Sequence, residues 1–193
     1  MTARTHDLAA ATGLGILLLL HTFSEPLRLS TLLIAVLANQ LGGIAPDTDQ
    51  PTAPFWRNLP EGHFVGRAFG KLLGGHRFLS HSLLGFALFG FLVNLLLDFL
   101  HPLMPHVDNH FVWLAFMVGY GSHLIMDSFT KEGVPWLLPI PFKFGFPPLR
   151  AFRITTGKAG EALLAFPILI AIDIWLCASH YSDFASLLRH VVR

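Results

Sequence analysis

Histidine and aspartate recur in short groupings along an otherwise apolar chain: His6, Asp47-Thr48-Asp49, His76-Arg77-Phe78-Leu79-Ser80-His81-Ser82, and His123-Leu124-Ile125-Met126-Asp127. Eleven histidines are an unusual supply for so hydrophobic a sequence, whereas a lone cysteine, Cys177, makes neither an internal disulfide nor a Cys-rich zinc site. Any metal site must therefore draw on imidazole and carboxylate. That mixture suits zinc first, with manganese and iron(II) as alternatives, and favours an open catalytic site over a closed structural one. His123 and Asp127 are four residues apart, so on a helix they share a face and can bind one ion together. A bound ion lowers the pKa of a coordinated water to about 7 and polarises a phosphoryl or carbonyl oxygen, which is the chemistry of hydrolysis. Two ions sharing an aspartate fit the same residues. Arg77 would clamp an anionic group, and Ser82 or Thr130 would support the ligands from behind.

The elements that must position these residues are apolar helices. Hydrophobic residues make up 53% of the 193 and charged residues only 13%, a balance outside the soluble range. The formal net charge of +1 supplies no basic field for nucleic acid. We expect one all-α integral-membrane domain over residues 1–193, with about five transmembrane helices near 8–24, 29–46, 82–97, 109–126 and 162–182. Pro26 falls in the first connection, and His101-Pro102 with Pro105 stops the third span. The N-terminal run reads as a retained span rather than a cleaved signal, because Asp7 interrupts its basic start and no small-residue cleavage site follows. Asp173 within the fifth stretch leaves a four-span arrangement as the alternative, its last run lying in the interface. Between spans, His63 to Leu73 has the pattern of an interfacial helix. Residues 133–160 are rich in proline and aromatics, and the alternation of Phe142, Phe144 and Phe146 suggests a small β-hairpin lid, with Trp136 at headgroup level.

On this arrangement His6 opens span one, Asp47 and Asp49 close span two, His81 opens span three, His123 and Asp127 end span four, and Glu161 opens span five. All meet one edge of the bilayer. Singly, each grouping has a structural account: His6 as an interfacial histidine, the two aspartates as turn or helix caps, Glu161 as an acid at a helix N-terminus. Jointly they argue for metal. His101, His106 and His110 lie at the opposite edge, where a second, weaker site stays open, and Asp173 has Asn94 or His21 as polar neighbours.

The ordered string Thr5-His6, Pro46-Asp47-x-Asp49, His76-Arg77-x-x-Ser80-His81-Ser82, Gly121-Ser122-His123-x-x-x-Asp127-x-x-Thr130, Gly133-Val134 and Pro139 resembles the YdjM-type family of bacterial inner-membrane proteins, known for LexA-linked regulation. The resemblance implies an inner-membrane location and a metal-dependent hydrolase. Thr156-Gly157-Lys158-Ala159-Gly160-Glu161 looks like that family's glycine-containing segment before its last span, which adds Glu161 to the ligands. The pattern is also distantly similar to zinc-dependent phospholipase C, implying a phospholipid substrate.

The expectation is thus a metal-dependent hydrolase at the cytoplasmic edge, acting on a lipid or another amphiphilic phosphoester. Its expected ligands are His6, Asp47, Asp49, His76, His81, His123, Asp127 and Glu161, and Asp49, His81 and Arg77 are expected to take part in the reaction. The rivals are a non-enzymatic protein that binds or transports a divalent ion, with Asp173 and Asn94 marking a path, and a scaffold whose ion is structural. The oligomeric state is left open.

Ten of the thirteen Lys and Arg residues lie on the side of the N-terminus and the two long loops, which makes that side cytoplasmic by the positive-inside rule. In a Cys177→Ser background, Lys71→Cys and Arg189→Cys are expected to react with a membrane-impermeant thiol reagent from opposite faces. Labelling from the same face would leave the four-span arrangement instead.

Overall fold

The computed structural model describes residues 1–21, 27–75, 77–140 and 142–191; Pro26, His76 and Arg193, used in the sequence reading, lie outside the described residues. Helices occupy all five segments expected to be long and apolar. These are α1 (Ala3–Leu20), α2 (Leu29–Ile44), α5 (Leu83–Leu100), α6 (Asn109–Ser128) and α7 (Phe166–Ser179), the last preceded by a π turn at Glu161–Ala165. Shorter helices are α3 (Pro54–Arg57), α4 (Gly62–Leu72) and α8 (Tyr181–Val191). The ends follow local chemistry. Pro46 turns α2 into a 3₁₀ segment, Ser82 Oγ caps α5 by accepting from Gly85 N at 3.1 Å, and Asp108 caps α6 by accepting from Phe111 N at 3.0 Å. The wider π turn sits where Pro167 withholds an N–H from the helix.

Helix α6 is central, with α1, α2 and α5 packed on it and α7 packed on α1. Leu14, Ala35, Leu97, Phe111, Val112 and Ala115 form a core toward the start of α6, and Phe116, Tyr120, Leu124 and Val134 form another toward its end. The closest approach is between α2 and α6. A methyl group at Gly42 would overlap the Phe116 carbonyl, and one at Gly119 would overlap the Asn39 carbonyl. The two backbones touch, as helices do through small residues in membranes. Asn39, fully buried, adds a bond across the seam, its Nδ2 donating to Ala115 O at 3.0 Å.

The outer helices expose apolar side chains. Phe91, Leu92, Leu95, Leu96 and Phe99 are exposed on α5, and Ile168, Ile174 and Trp175 on α7. Exposed apolar surface on this scale is ordinary only where the solvent is itself apolar. The stretches Leu83–Leu103 and Glu161–Ser179, both of mean hydropathy 2.2, are long and apolar enough to cross a membrane, and α2 is a shorter apolar helix.

Two expectations change at the loops. The hairpin is replaced by two isolated bridges, Val134 with Phe144 and Thr130 with Ile154, because Pro147 and Pro148 interrupt any longer ladder. Helix α4 is amphipathic as expected, but glycines make its buried face: Gly62 and Gly66 lie on Trp56, and Gly70 lies on the Asp49 carbonyl. Phe64 and Leu72 are exposed on the outer surface. The spacing of four puts all three glycines on one stripe, and a side chain there would lift α4 off the Asp47–Asp49 turn.

Filling the α2–α6 seam is therefore costly. Gly119→Ala is expected to destabilise the protein by about 1–3 kcal/mol, as overpacked interiors do, and to lower the midpoint of thermal unfolding in detergent. Gly15→Ala is the control, since its added methyl meets nothing within 4 Å. Equal midpoints for the two variants would contradict a backbone-to-backbone seam.

Candidate metal centre

The α2–α6 contact sets the first ligand. Gly43 presents its carbonyl to His123 Nδ1 at 2.7 Å. Nδ1 must donate there, so the lone pair of His123 is on Nε2, which has no hydrogen-bond partner among the described residues. Nε2 lies 3.7 Å from Asp47 Oδ1 and 3.9 Å from Asp127 Oδ2. His81 approaches from the 3₁₀ turn before α5, its Nε2 3.8 Å from Asp47 Oδ1 and 3.7 Å from Asp127 Oδ2. The rings of His81 and His123 meet edge to face at 5.2 Å. Asp47 Oδ1 and the two imidazole Nε2 atoms thus face a common point, with Asp127 Oδ2, which the Arg77 guanidinium holds, at its edge.

A third histidine stands beside them. His6 stacks on His123 with centroids 3.6 Å apart, and its Nε2 is 3.4 Å from Asp127 Oδ1 and 2.9 Å from the α-amino group of Met1, which also bonds Asp127. Donor atoms of His6, His123 and Asp127 lie within 4.8 Å of one another, and so do those of Asp47, His81 and His123. The two sets share His123. His81 and His123 are fully buried, and Asp127 is 1% exposed. Burying so many ionisable groups is unfavourable by several kcal/mol per charge unless they are paired or coordinated. The donor set, the buried nitrogen without a partner and the fixed tautomer together fit a divalent cation.

The remaining expected residues divide by position. Asp49 lies behind His81: Oδ2 is 3.3 Å from His81 Nδ1 and accepts from Ser80 Oγ at 2.5 Å and from the Arg77 backbone N–H at 2.9 Å. It belongs to the carboxylate–histidine pairing that orients a ligand, rather than to the groups facing the common point. Arg77 is not free to clamp an anion. It is buried with a left-handed backbone at φ 57°, and its guanidinium reaches Asp127 Oδ2 at 2.5 Å, Thr130 Oγ1 at 3.0 Å and Gly133 O at 3.2 Å. Thr130 supports the site as expected, also donating to Asp127 O at 2.7 Å, whereas Ser82 is a helix cap. His76 lies outside the described residues.

Glu161 moves furthest from expectation. Its Oε1 accepts from Thr2 N at 2.6 Å, Thr2 Oγ1 at 2.7 Å and Thr5 Oγ1 at 2.6 Å, and its Oε2 accepts from Gly157 N at 2.8 Å. It caps α1 from across the fold and joins neither ligand set among the described residues. Residues 133–160 dock on the end of α6, with Phe146 N donating to Ser128 O at 2.8 Å and Trp136 Nε1 to Ser128 Oγ at 3.0 Å, while Phe142 and Phe146 remain exposed. At the opposite edge, His101, His106 and His110 join no ligand set among the described residues. Asn94 Nδ2 donates to Asp98 Oδ2 on its own helix at 3.0 Å. The sequence reading did not single out Gly43, Tyr120 or the α4 glycines. Tyr120 OH donates to Ser80 O at 2.5 Å, holding the His81 turn against α6; a tyrosine three residues before His123 was the available signal.

A helical bundle with an apolar exterior and a buried His/Asp centre defines a membrane protein with the donor set of a metal site. The chain belongs to the YdjM inner membrane protein family, whose profile matches residues 1–184. It is 30% identical over 137 residues to the inner membrane protein YdjM of Escherichia coli (strain K12), covering 68% of this chain and 59% of that protein; the Shigella flexneri YdjM matches to the same extent. The uncharacterized protein YvsG of Bacillus subtilis (strain 168) is 23% identical over 131 residues, covering 68% of this chain and 71% of that one. The match thus spans about three-fifths of the length of the YdjM relatives. No solved structure matches the chain. Membership in this family places the protein in the bacterial inner membrane.

The division between ligands and their supports has a measurable consequence. Asp49→Asn is expected to weaken zinc binding by about 10–100-fold, the usual effect of losing a carboxylate behind a histidine ligand, whereas Asp47→Ala weakens it further. Glu161→Gln should leave zinc affinity unchanged and lower the unfolding midpoint. Competitive zinc titration and thermal unfolding of the three variants check this, and a large affinity loss in Glu161→Gln would return Glu161 to the ligands.

Proposed function

We propose that the protein is a membrane-embedded, metal-dependent hydrolase acting on a lipid or another amphiphilic phosphoester, with its centre at the cytoplasmic edge. What carries this reading is that two donor sets, Asp47–His81–His123 and His6–His123–Asp127, meet at His123, whose Nε2 has no hydrogen-bond partner among the described residues. Asp47, His81 and His123, with His6 and Asp127 beside them, would hold a divalent ion, zinc by preference or else manganese or iron(II), and such an ion would supply activation of water and polarisation of a phosphoryl oxygen.

The protein's own groups prepare that chemistry. Gly43 O and Asp49 fix the two imidazole rings from behind, so that little reorganisation is needed when an ion or substrate arrives. Arg77 and Thr130 hold Asp127 in place. In this reading all five long helices cross the membrane, alternating in direction, so that His6, Asp47, His81, Asp127 and the Glu161 cap lie at one level. The N-terminus and both long loops are then cytoplasmic, and α4 and residues 133–160 lie at the headgroups with Phe64, Leu72, Phe142 and Phe146 as their apolar contacts.

His123→Ala and Asp127→Ala are each expected to lose bound metal and metal-dependent phosphoester turnover while the protein still inserts. The double variant should add little, because ligands of one ion act as a unit. His180→Ala, whose ring pairs with Asp183 at the far end of α7, keeps both. Elemental analysis in matched detergent and turnover of a phospholipid panel read the result. A wild-type protein that gains none of the three metals on titration would overturn the reading. Metal binding with ion flux into liposomes and no turnover would favour the transport rival.

A further inference from the structure

A groove of about 530 Å³ opens beside the metal centre, between the start of α1, the end of α2 and the α3 segment. Its polar residues include His6, Asp7, Gln40 and Asp47, and His6 brings a buried Nδ1 without a hydrogen-bond partner among the described residues. Its outer wall is Leu37, Leu41 and Leu59, with exposures of 65%, 51% and 45%. Leu37 and Leu41 continue the exposed face of α2 that includes Leu33 and Val36, so the groove runs without a break from the lipid-facing surface to two of the site's donors. A second cavity of about 860 Å³ adjoins it across Ala3, which lines both. This neighbour carries Arg4, Arg57 and Lys158, all exposed and without an acidic partner among the salt bridges of the described residues; its one carboxylate, Glu161, is occupied in capping α1.

An apolar wall open to hydrocarbon, a polar end at the metal ligands and a cationic chamber beyond match the parts of one molecule in order. Resting on the hydrolase reading, the geometry points to an anionic glycerophospholipid as the substrate class. One acyl chain lies along Leu37 and Leu41, the phosphate reaches the unpartnered Nδ1 of His6, and the headgroup extends over Ala3 to Arg4, Arg57 and Lys158. Entry is sideways from the bilayer, so the lipid need not leave the membrane. The cations discriminate by charge, because a zwitterionic headgroup brings its own ammonium into the chamber. Leu41 and its neighbours select for a chain without regard to the headgroup.

The test is made on full-length protein stripped of metal, in phosphatidylethanolamine vesicles carrying a trace of probe with a diazirine on the acyl chain. The probe is either phosphatidylglycerol or phosphatidylethanolamine of identical chains. The phosphatidylglycerol probe is expected to label residues 37–44 and 55–59 at least about fivefold more than the other, as one cation near an anionic lipid supplies. Both probes should label residues 91–99 of α5 equally, since these face bulk lipid. Arg57→Gln with Lys158→Gln should bring the ratio in the groove to near one, and Leu41→Trp should reduce groove labelling by both probes. A wild-type ratio near one, or a ratio untouched by the charge variants, overturns the inference. Zinc titration of the same preparations separates the two ideas. Selectivity absent while zinc binds defeats the lipid assignment alone, and selectivity present while zinc fails to bind defeats the hydrolase reading alone.

Discussion

The contact between the backbones of α2 and α6 is the constraint on which the buried His/Asp cluster depends. Gly42 and Gly119 allow it, because any side chain at either would meet a carbonyl of the opposite helix. Only at that separation does Gly43 O reach His123 Nδ1, and only with Nδ1 engaged does Nε2 face Asp47 with a lone pair. A van der Waals seam in the bundle is thus also the device that sets a tautomer. The same seam brings the Asp47–Asp49 turn, which ends α2, beside the last turns of α6, where Asp127 lies.

Around that seam the structure compensates buried charge by layers. Asp127 is held by Arg77, Arg77 by Thr130 and Gly133, and His81 by Asp49, which Ser80 and the Arg77 N–H hold in turn. Residues from three separate loops are therefore locked to a few side chains. Arg77 accepts a left-handed backbone to make its two contributions, a type of strain that persists only where surrounding contacts over-determine it. Helix α4 closes the arrangement from outside, its glycine stripe lying on Trp56 and on Asp49's carbonyl.

The position of the centre at helix ends has a physical basis too. Ionisable groups are costly in hydrocarbon, yet water alone would not hold five of them together. At the end of a bundle they can be buried in protein while a groove still communicates with the surrounding lipid, as it does between Asp47 and Leu41. An exterior of leucine, isoleucine and phenylalanine on α5 and α7 then sits against hydrocarbon rather than water.

The sequence by itself determined the five long helices and the identity of most groups at the centre. Apolar runs bounded by proline and capping residues specify helices locally, and the four-residue spacing of His123 and Asp127 puts them on one face in any helix. The tertiary structure alone decided the roles within the set. Asp47 and Asp49 are two residues apart and identical in type, yet the turn sends one toward His123 and the other behind His81. Glu161 has the right chemistry for a ligand and the right place in the chain, but the start of α1 offers its carboxylate an N–H and two hydroxyls first. Arg77 looked free in sequence because its partners, Asp127, Thr130 and Gly133, lie about fifty residues away. Such assignments depend on which backbones can touch, and that distance was fixed by glycines whose spacing carries no signal until a second helix lies against them.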